Sequence, residues 1–366
     1  VNCHSQVGTQ ILDPLDGNLV LESTTGSVRI RDGFALNGGV RRHDATLRAG
    51  EDVDFEAAIT GLQDLDAEAG LNGAGSVNIY TSLMDINGDA IFTSPDAINL
   101  DPTWPIINIW TNGSQTYNGD VVIDGATAQL ISWVDGHINI NGDLTLDGSP
   151  YTLLRTIGGG INVMGNVETT TSGVGKLAVN SGSHIYIDGD IGATKPLDSI
   201  ELTSAQEHLV VLNGNIIHAA NDIYLNNYHG DLTHIADIVG LSDSLVITSD
   251  NGGIYLGQNQ KFSQLGDLTL RALNGEITIN DISTLGNMLV DAPLITILLR
   301  EAIEILDDQG FILPSFVVNF VAGGKIEFTS TPVQVGAGGL PWFASAATSP
   351  SEGTTLKDFV WWQQSP

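Results

Sequence analysis

A four-residue pattern of alternating polar and apolar residues recurs along the middle of the chain. In one-letter code its copies are HINI, GINV, KLAV, HIYI, SIEL, DIYL, SLVI, GIYL, DLTL and EITI. Alternation with a period of two is typical of a β-strand that has one buried face. The pattern therefore predicts a series of short strands that present their apolar residues to a common core.

These strands recur at a fixed spacing. The first apolar residues of one series are separated by 23, 23, 22 and 23 positions: Leu177, Ile200, Ile223, Leu245 and Leu268. Two other series have steps of 23 or 24: Ile138, Ile161 and Ile185, and Ile254 with Ile277. A fixed period in the twenties with short strands indicates a solenoid, and the Leu-rich consensus of leucine-rich repeats is missing. We predict an all-β fold, a right-handed parallel β-helix with coils of about 23 residues.

The register of this helix makes a specific prediction about the core. Ten residues should point inward and stack in ladders: Ile185, Ile187, Ile200, Leu202, Ile223, Leu225, Leu245, Ile247, Leu268 and Leu270. Tyr186 and Glu201 should point outward, because a slip of one residue would invert every side chain.

Turn residues separate the predicted strands. Ten Asn-Gly or Asp-Gly pairs adjoin them, with glycines at positions 88, 119, 125, 136, 142, 148, 189, 214, 252 and 275. We expect these glycines to supply the positive φ that a corner of the coil needs. Residues Leu298–Gly310 are expected to form a loop insertion or a short helix, since their apolar spacing is irregular and the stretch ends on glycine.

We divide the chain into three regions. Residues 1–75 are predicted to be a β-rich cap or assembly segment, and residues 76–330 the parallel β-helix. Residues 331–366 are predicted to be a tail rich in Pro, Gly, Ser and Ala that ends in an aromatic strand.

Charge and composition narrow the function. The chain has 43 acidic and 13 basic residues, for a formal net charge of -30. Such a surface repels nucleic acid and anionic lipid, and it would attract Ca²⁺ adventitiously; we expect no resident cofactor. No apolar run reaches the roughly 18–20 residues of a spanning helix, so we expect a soluble chain without membrane insertion. Because it begins at Val1 without a signal segment, we expect a processed product of an exported precursor.

Three groups of polar residues are candidate sites. Asp188 and Asp190 lie near Lys195, as two carboxylates and a cation would in a polysaccharide lyase or hydrolase, but they occupy a turn position that Asn fills elsewhere. His184 and His208 occupy equivalent positions 24 apart, without the third ligand that a closed zinc site needs. Residues 85–90, DINGDA, match the opening of a calcium loop but lack its Gly and Glu. We therefore predict no catalytic, cofactor or metal site and no enzymatic activity.

The remaining candidates concern contacts with other molecules. Tyr186, Tyr224 and Tyr255 occupy outward positions, where they would pack across strands or stack on sugars or another chain. Cys3 is expected to be a free thiol or to form an intermolecular disulfide. Four adjacent tail residues are predicted to dock, either on their own rod or on the next subunit: Phe359, Val360, Trp361 and Trp362.

The segments KLAVNSGSHIYIDGDIGATKPLDSIELTS and FSQLGDLTLRALNGEITINDISTLGNMLVDAP resemble the repeat region of filamentous-haemagglutinin-like exoproteins. The resemblance covers about residues 120–330, and the Asn-Pro-Asn-Leu motif of that family's secretion domain is missing. It implies a bacterial, extracellular or cell-surface structural or adhesive protein built as a right-handed β-helix. We expect a rod that assembles head to tail with itself, with cell-surface glycans as further candidate partners. The alternative is a carbohydrate-active or carbohydrate-binding β-helix, such as a polysaccharide lyase or a tailspike-like protein.

Overall fold

A computed structural model provides the architecture of the chain. It describes residues 18–344 except for 32–35, 38–42, 102–104, 205–209, 228–235, 258–259, 280, 299, 307–311, 318–319, 323–325, 329–332 and 338–339. Every regular element in the described residues is a β-strand, and the all-β prediction is confirmed. These residues contain no helix of the length and hydropathy needed to cross a membrane.

The strands form four sheets and one hairpin. Sheet 1 consists of β1 Leu19–Ser23, β4 Ala45–Ala49, β7 Leu65–Glu68, β10 Ala90–Thr93, β13 Gln115–Asn118, β16 Ile138–Ile140, β19 Ile161–Val163, β22 Ile185–Ile187, β24 Val210–Leu212, β27 Ala236–Gly240, β30 Gln260–Gln264, β33 Asp281–Thr284 and β38 Phe320–Ala322. Sheet 2 consists of β2 Val28–Ile30, β5 Val53–Phe55, β8 Val77–Ile79, β11 Ile98–Leu100, β14 Val121–Asp124, β17 Leu144–Asp147 and β20 Val167–Thr169.

Sheet 3 consists of β3 Leu36–Asn37, β6 Ile59–Leu62, β9 Leu83–Ile86, β12 Ile106–Thr111, β15 Thr127–Ser132, β18 Tyr151–Thr156, β21 Lys176–Ser181, β23 Ser199–Ser204, β26 Ile223–Asn227, β29 Ile254–Leu256, β32 Glu276–Ile279, β35 Leu294–Leu298, β40 Val333–Ala337 and β41 Leu340–Ala344. Sheet 4 consists of β25 Ile216–Ala219, β28 Ser244–Ser249, β31 Asp267–Ala272, β34 Met288–Asp291 and β39 Ile326–Phe328. The hairpin pairs β36 Arg300–Leu306 with β37 Ile312–Val317.

Successive coils stack in parallel and in register. A typical coil contributes one strand to sheet 1, one to sheet 2 or 4 and one to sheet 3. Ile138 aligns with Ile161 and Ile161 with Ile185, at the spacing read from the sequence. Sheets 2 and 4 are linked through single bridges from Val167 to Ile191 and from Ile191 to Ile217. The chain is therefore a parallel β-solenoid with coils of about 23 residues; its handedness stays a prediction.

The core is one continuous apolar cluster enclosed by the sheets. All ten residues predicted to point inward are at most 1% exposed, and Tyr186 and Glu201 are partly exposed. The register prediction is confirmed. Phe92 and Tyr117 stack inside the coils with ring centroids 5.3 Å apart, and the hydroxyl of Tyr117 donates to Oε1 of buried Gln115 at 2.9 Å. A polar group inside the solenoid thus has its partner.

One predicted ladder joins two different sheets. Ile223 aligns with Ile254 in sheet 3, whereas Leu245 lies in sheet 4 and aligns with Leu268. The step from Ile223 to Ile254 is 31 residues, because this coil is longer than its neighbours. The residue 22 positions after Ile223, Leu245, therefore lies in sheet 4 and not in the sheet of Ile223.

The prediction that the turn glycines have a positive φ is wrong for most of them. Of the ten Asn-Gly and Asp-Gly pairs, only those ending in Gly119, Gly125 and Gly148 have a positive φ at glycine. The others lie against the backbone of the preceding coil. A Cβ on Gly189, for example, would lie 2.5 Å from the carbonyl carbon of Gly165. Glycine is required there for the close approach of stacked turns.

Two further differences concern the flanks. Residues 300–306 form strand β36 of an antiparallel hairpin, so a helix there is wrong, although the hairpin does interrupt the coils as an insertion. Strands before residue 76 belong to the same sheets, and β1 already pairs in parallel with β4. The parallel stack thus extends N-terminal to the predicted boundary, and β40 extends sheet 3 beyond residue 330. The roles predicted for the two flanks stay predictions.

Candidate functional site

Outward aromatic side chains are concentrated on one side of the solenoid. Seven aromatic residues point outward among those whose side chains are described: Tyr80, Trp110, Trp133, Tyr151, Tyr186, Tyr224 and Tyr255. Five of them lie on strands of sheet 3 or directly after one, the exceptions being Tyr80 and Tyr186. Because aromatic rings carry large apolar surfaces with a polar edge, this side is the principal candidate for binding another molecule.

The first aromatic group, which we name the tryptophan patch, consists of Trp110, Ile131, Trp133, Val134 and Ile157. Trp110 aligns with Ile131 on neighbouring strands, and the indole rings of Trp110 and Trp133 meet edge to face with centroids 6.4 Å apart. Trp133 is 43% exposed, Val134 50% and Ile157 44%. The indole N–H of Trp110 is buried and has no hydrogen-bond partner within the described residues.

Polar side chains border the tryptophan patch. Asp85 aligns with Trp110 on one side, and Arg155 aligns with Ile131 on the other. Gln129 lies two residues before Ile131 on the same outward face. Within the described part of the chain, the side chains of Gln129 and Arg155 make no hydrogen bond or ion pair. These planar groups are therefore available as donors beside an apolar surface.

The second aromatic group is a pair of tyrosines further along sheet 3. Tyr224 and Tyr255 align on adjacent strands and stack with centroids 4.8 Å apart and an interplanar angle of 13°. Burial, and then the charge of Asp222, raises the pKa of both hydroxyl groups. Their outward orientation, predicted from the sequence, is confirmed, and each ring packs on the other across the strands.

The candidate catalytic carboxylates belong to a ladder of turn residues. The ladder consists of Asp120, Asp143, Asn166, Asp190 and Asn215, one on each successive coil. The side-chain oxygen of each residue accepts the backbone N–H of the next one, at 2.6–3.0 Å. Asp190 also accepts the N–H of Ile216 at 3.0 Å. Both Asp and Asn occur in this ladder because the side chain of either one supplies the acceptor oxygen.

Asp188 and Lys195 are likewise engaged in local contacts. Oδ1 of Asp188 accepts the hydroxyl of Tyr186 at 2.8 Å and the amide of Asn213 at 2.5 Å. The bond from Tyr186 to Asp188 raises the pKa of that hydroxyl. Lys195 donates to the carbonyl of Thr170. The carboxylates and the lysine therefore hold neighbouring coils together.

A histidine pair occurs at a different place from the one expected. His184 lies near His137, with ring centroids 5.9 Å apart, although another coil lies between the two coils that carry them. Gly160 occupies the intervening position, and a Cβ there would collide with the His184 ring. Nδ1 of His137 accepts the N–H of Gly160 at 2.9 Å. The expected neighbour, His208, lies outside the described residues.

The calcium-like sequence forms an ordinary strand and turn. Asp85 and Ile86 end strand β9, and the N–H of Asp89 donates to Asp64 of the preceding coil at 2.8 Å. Within the described ranges, no group of three His, Cys, Asp or Glu side chains is arranged to hold a metal ion.

The predicted assembly residues are not part of the described structure. Cys3 lies outside the described residues, as do the tail residues Phe359, Val360, Trp361 and Trp362. Sequence reasoning missed Trp110, Trp133 and His137. The alternation IINIW before residue 111 was the available signal, since it places Trp110 outward once Ile107 and Ile109 are assigned inward.

Comparison with known proteins does not extend this picture. No protein-family model, curated protein or solved structure matches the chain.

Proposed function

We propose that the chain is a non-enzymatic structural and adhesive protein of the bacterial cell surface, a β-helical rod that assembles head to tail. The observation that carries the proposal is the use of its polar side chains. The candidate catalytic carboxylates, Asp188 and Asp190, both accept hydrogen bonds from the next coil. Side chains of this kind stabilise a shaft.

The extracellular location is supported by the resemblance of the repeats to those of secreted exoproteins. The charge is consistent with it, because a net charge of -30 keeps isolated rods apart and soluble. A rod held together by stacked coils also needs no disulfide framework, and the chain has one cysteine.

Head-to-tail assembly is supported by the edges of the sheets. Within the described residues, β1, β2 and β3 each pair with a strand on one side only, as do β38 and β39 at the other end. Edge strands of this kind pair with another chain unless they are covered. Antiparallel strand β41 covers the corresponding end of sheet 3.

The charge distribution supports the same arrangement. Residues 1–48 hold five Arg and five acidic residues, whereas residues 49–366 hold 38 acidic and eight basic residues. Residues 331–366 hold two acidic residues and one lysine, so both terminal regions carry little net charge and the residues between them are strongly acidic. A contact between ends therefore meets less electrostatic repulsion than a contact between the sides of two rods.

Electron microscopy of the purified protein tests the proposal. We expect fibres, and we expect isolated folded rods after deletion of residues 356–366. Fibres that persist in the deletion variant would remove the tail as the link. A wild-type protein that is monomeric at every concentration would contradict head-to-tail assembly.

An enzymatic function is the alternative, and it has its own test. A carbohydrate-active β-helix would release reducing or unsaturated ends from a polysaccharide, and Asp188→Asn or Asp190→Asn would abolish this release. We expect no release by the wild-type chain. Cleavage that stops in either variant would overturn the non-enzymatic proposal.

A further inference from the structure

We infer that the tryptophan patch on sheet 3 is a binding site for a neutral saccharide. The inference rests on the adhesive role proposed above, for which it names the ligand class and the site. Its starting point is an exposed indole ring, Trp133, packed edge to face on Trp110 and bordered by apolar Ile157. Such a ring is held in place by its neighbours before a ligand arrives, which limits the entropy lost on binding.

The chemistry of the patch matches a pyranose ring. A pyranose has one or two faces made of C–H groups and a rim of hydroxyl groups. Trp133 and Val134 offer an apolar surface for the C–H face, and the guanidinium of Arg155 offers hydrogen bonds to the rim. The amide of Gln129, about 13 Å along the strand from Trp133, offers hydrogen bonds to an adjoining sugar. Sites with an apolar lining and a few placed polar groups are typical of small-molecule recognition.

The size of the patch favours a saccharide over a second protein. The exposed fractions of Trp133, Val134 and Ile157 correspond to an apolar area on the order of 300 Å². A stable protein interface needs about 800 Å² from each partner. A second copy docking here would contact the side of the stack and not the ends proposed for head-to-tail assembly, and it would bring two strongly acidic surfaces together. A few sugar rings need no more area than the patch provides.

Charge and periodicity narrow the ligand further. An anionic polysaccharide would be repelled by the acidic chain, so the ligand is a neutral one. The patch spans three neighbouring strands, β12, β15 and β18, which lie about 4.8 Å apart. An unbranched oligosaccharide crossing these strands would contact Trp110, Trp133 and Arg155, each on a different coil, whereas Ile131 is buried. The indole N–H of Trp110, which has no partner among the described residues, belongs to the same patch and is a donor that a sugar hydroxyl would satisfy after a ring movement.

Titration of the full chain with neutral hexasaccharides tests the inference. Cellohexaose, maltohexaose and chitohexaose would each be added while tryptophan fluorescence and heat release are recorded. We expect at least one to bind, with affinity falling about tenfold or more in Trp133→Ala and several-fold in Gln129→Ala and Arg155→Gln.

Met164→Ala is the matched control. Met164 is 44% exposed, close to the 43% of Trp133, but it follows strand β19 of sheet 1 and lies outside both aromatic groups. We expect it to bind like the wild type, and circular dichroism would verify that all variants are folded. Absence of binding to every hexasaccharide at millimolar concentration, binding that survives in Trp133→Ala, or equal loss in Met164→Ala would each overturn the inference.

Another result would reassign the patch. Wild-type dimers that dissociate in Trp133→Ala, without saccharide binding, would show that a second copy occupies it and would overturn the inference. Fibres seen by electron microscopy in that case would leave the structural part of the proposed function standing. The saccharide-binding inference and the proposed structural role can therefore be refuted independently of each other.

Discussion

Asp190→Ala tests whether the turn carboxylates stabilise the stack of coils. Asp190 accepts two backbone N–H groups of the next coil, from Asn215 at 2.6 Å and from Ile216 at 3.0 Å. A hydrogen bond to a charged group contributes about 1.5–3 kcal/mol. Because the Asp190 side chain is partly exposed and water replaces part of the loss, we expect the variant to be destabilised by about 1.5–3 kcal/mol in total.

Two matched variants separate the acceptor from the charge. Asp190→Asn keeps a side-chain oxygen, as Asn166 does on the preceding coil, and we expect it to lose less than about 1 kcal/mol. Asp85→Ala removes an exposed carboxylate that accepts no hydrogen bond within the described residues, and its effect should stay within about 0.5 kcal/mol.

The measurements are urea denaturation followed by circular dichroism and hydrogen exchange of the peptide that contains Asn215 and Ile216. Exchange is informative because a solenoid can open one coil at a time. We expect these amides to exchange faster in Asp190→Ala than in the wild type or Asp190→Asn. Equal destabilisation by Asn and Ala, or unchanged exchange in Asp190→Ala, would refute the assignment of Asp190 as a structural acceptor.

Three further predictions follow from the packing and the charges. Leu202 is fully buried between Val179 and Leu225, so Leu202→Ala should lower the free energy of unfolding by about 2–5 kcal/mol in urea titrations. Thr203 points outward, and Thr203→Ala should change this free energy by less than about 0.5 kcal/mol. Similar values for the two variants would contradict the register. Gly182→Ala would place a Cβ against the carbonyl of Ile157, whereas the space around Gly125 is open and Gly125→Ala is opposed only by a positive φ of 66°, at a cost of about 1 kcal/mol. The melting temperature should therefore fall further in Gly182→Ala than in Gly125→Ala. The reverse order would contradict the requirement for close approach of the stacked turns. Local desolvation, and then the charge of Asp124, raise the pKa of the exposed Asp101 above its ordinary 3.8. The folded state therefore binds this proton more tightly, and the stability gained from it is lost as the pH rises from the ordinary to the raised pKa. Asp101→Asn should therefore raise the melting temperature at about pH 7 and leave it unchanged at about pH 3, and a lower value at pH 7 would contradict this.

The solenoid could be predicted from the sequence because its period is carried by buried residues. Ile138, Ile161 and Ile185 align as their spacing indicates, since each fills the same place in successive coils. The prediction failed where a coil has a different length, between Ile223 and Ile254, because a count along the chain cannot recognise a longer loop. Coils before residue 76 were missed because their inward positions include small residues such as Ala45 and Ala67, which weaken the alternation.

The candidate site was less predictable than the fold. Its members come from three coils, and Trp110, Trp133 and Ile157 become neighbours only after the coils are stacked. The pairing of His137 with His184 depends on the gap at Gly160, which alternation does not reveal. The position of Asp190 in a turn could be predicted from the sequence, but its role as an acceptor needed the backbone of the next coil.

Disulfide cross-linking between adjacent coils tests the central claim most directly. Asn139 and Asn162 are aligned neighbours on sheet 1, and their amides hydrogen-bond at 2.8 Å. Their Cα atoms lie about 4.8 Å apart, within the range that a disulfide bridges. In a Cys3→Ser background, we expect Asn139→Cys with Asn162→Cys to form an intramolecular disulfide on mild oxidation, detected by non-reducing peptide mass mapping. Asn139→Cys with Glu168→Cys, whose positions lie on different sheets, should not; a cross-link in this second pair and none in the first would contradict the stacked-coil structure.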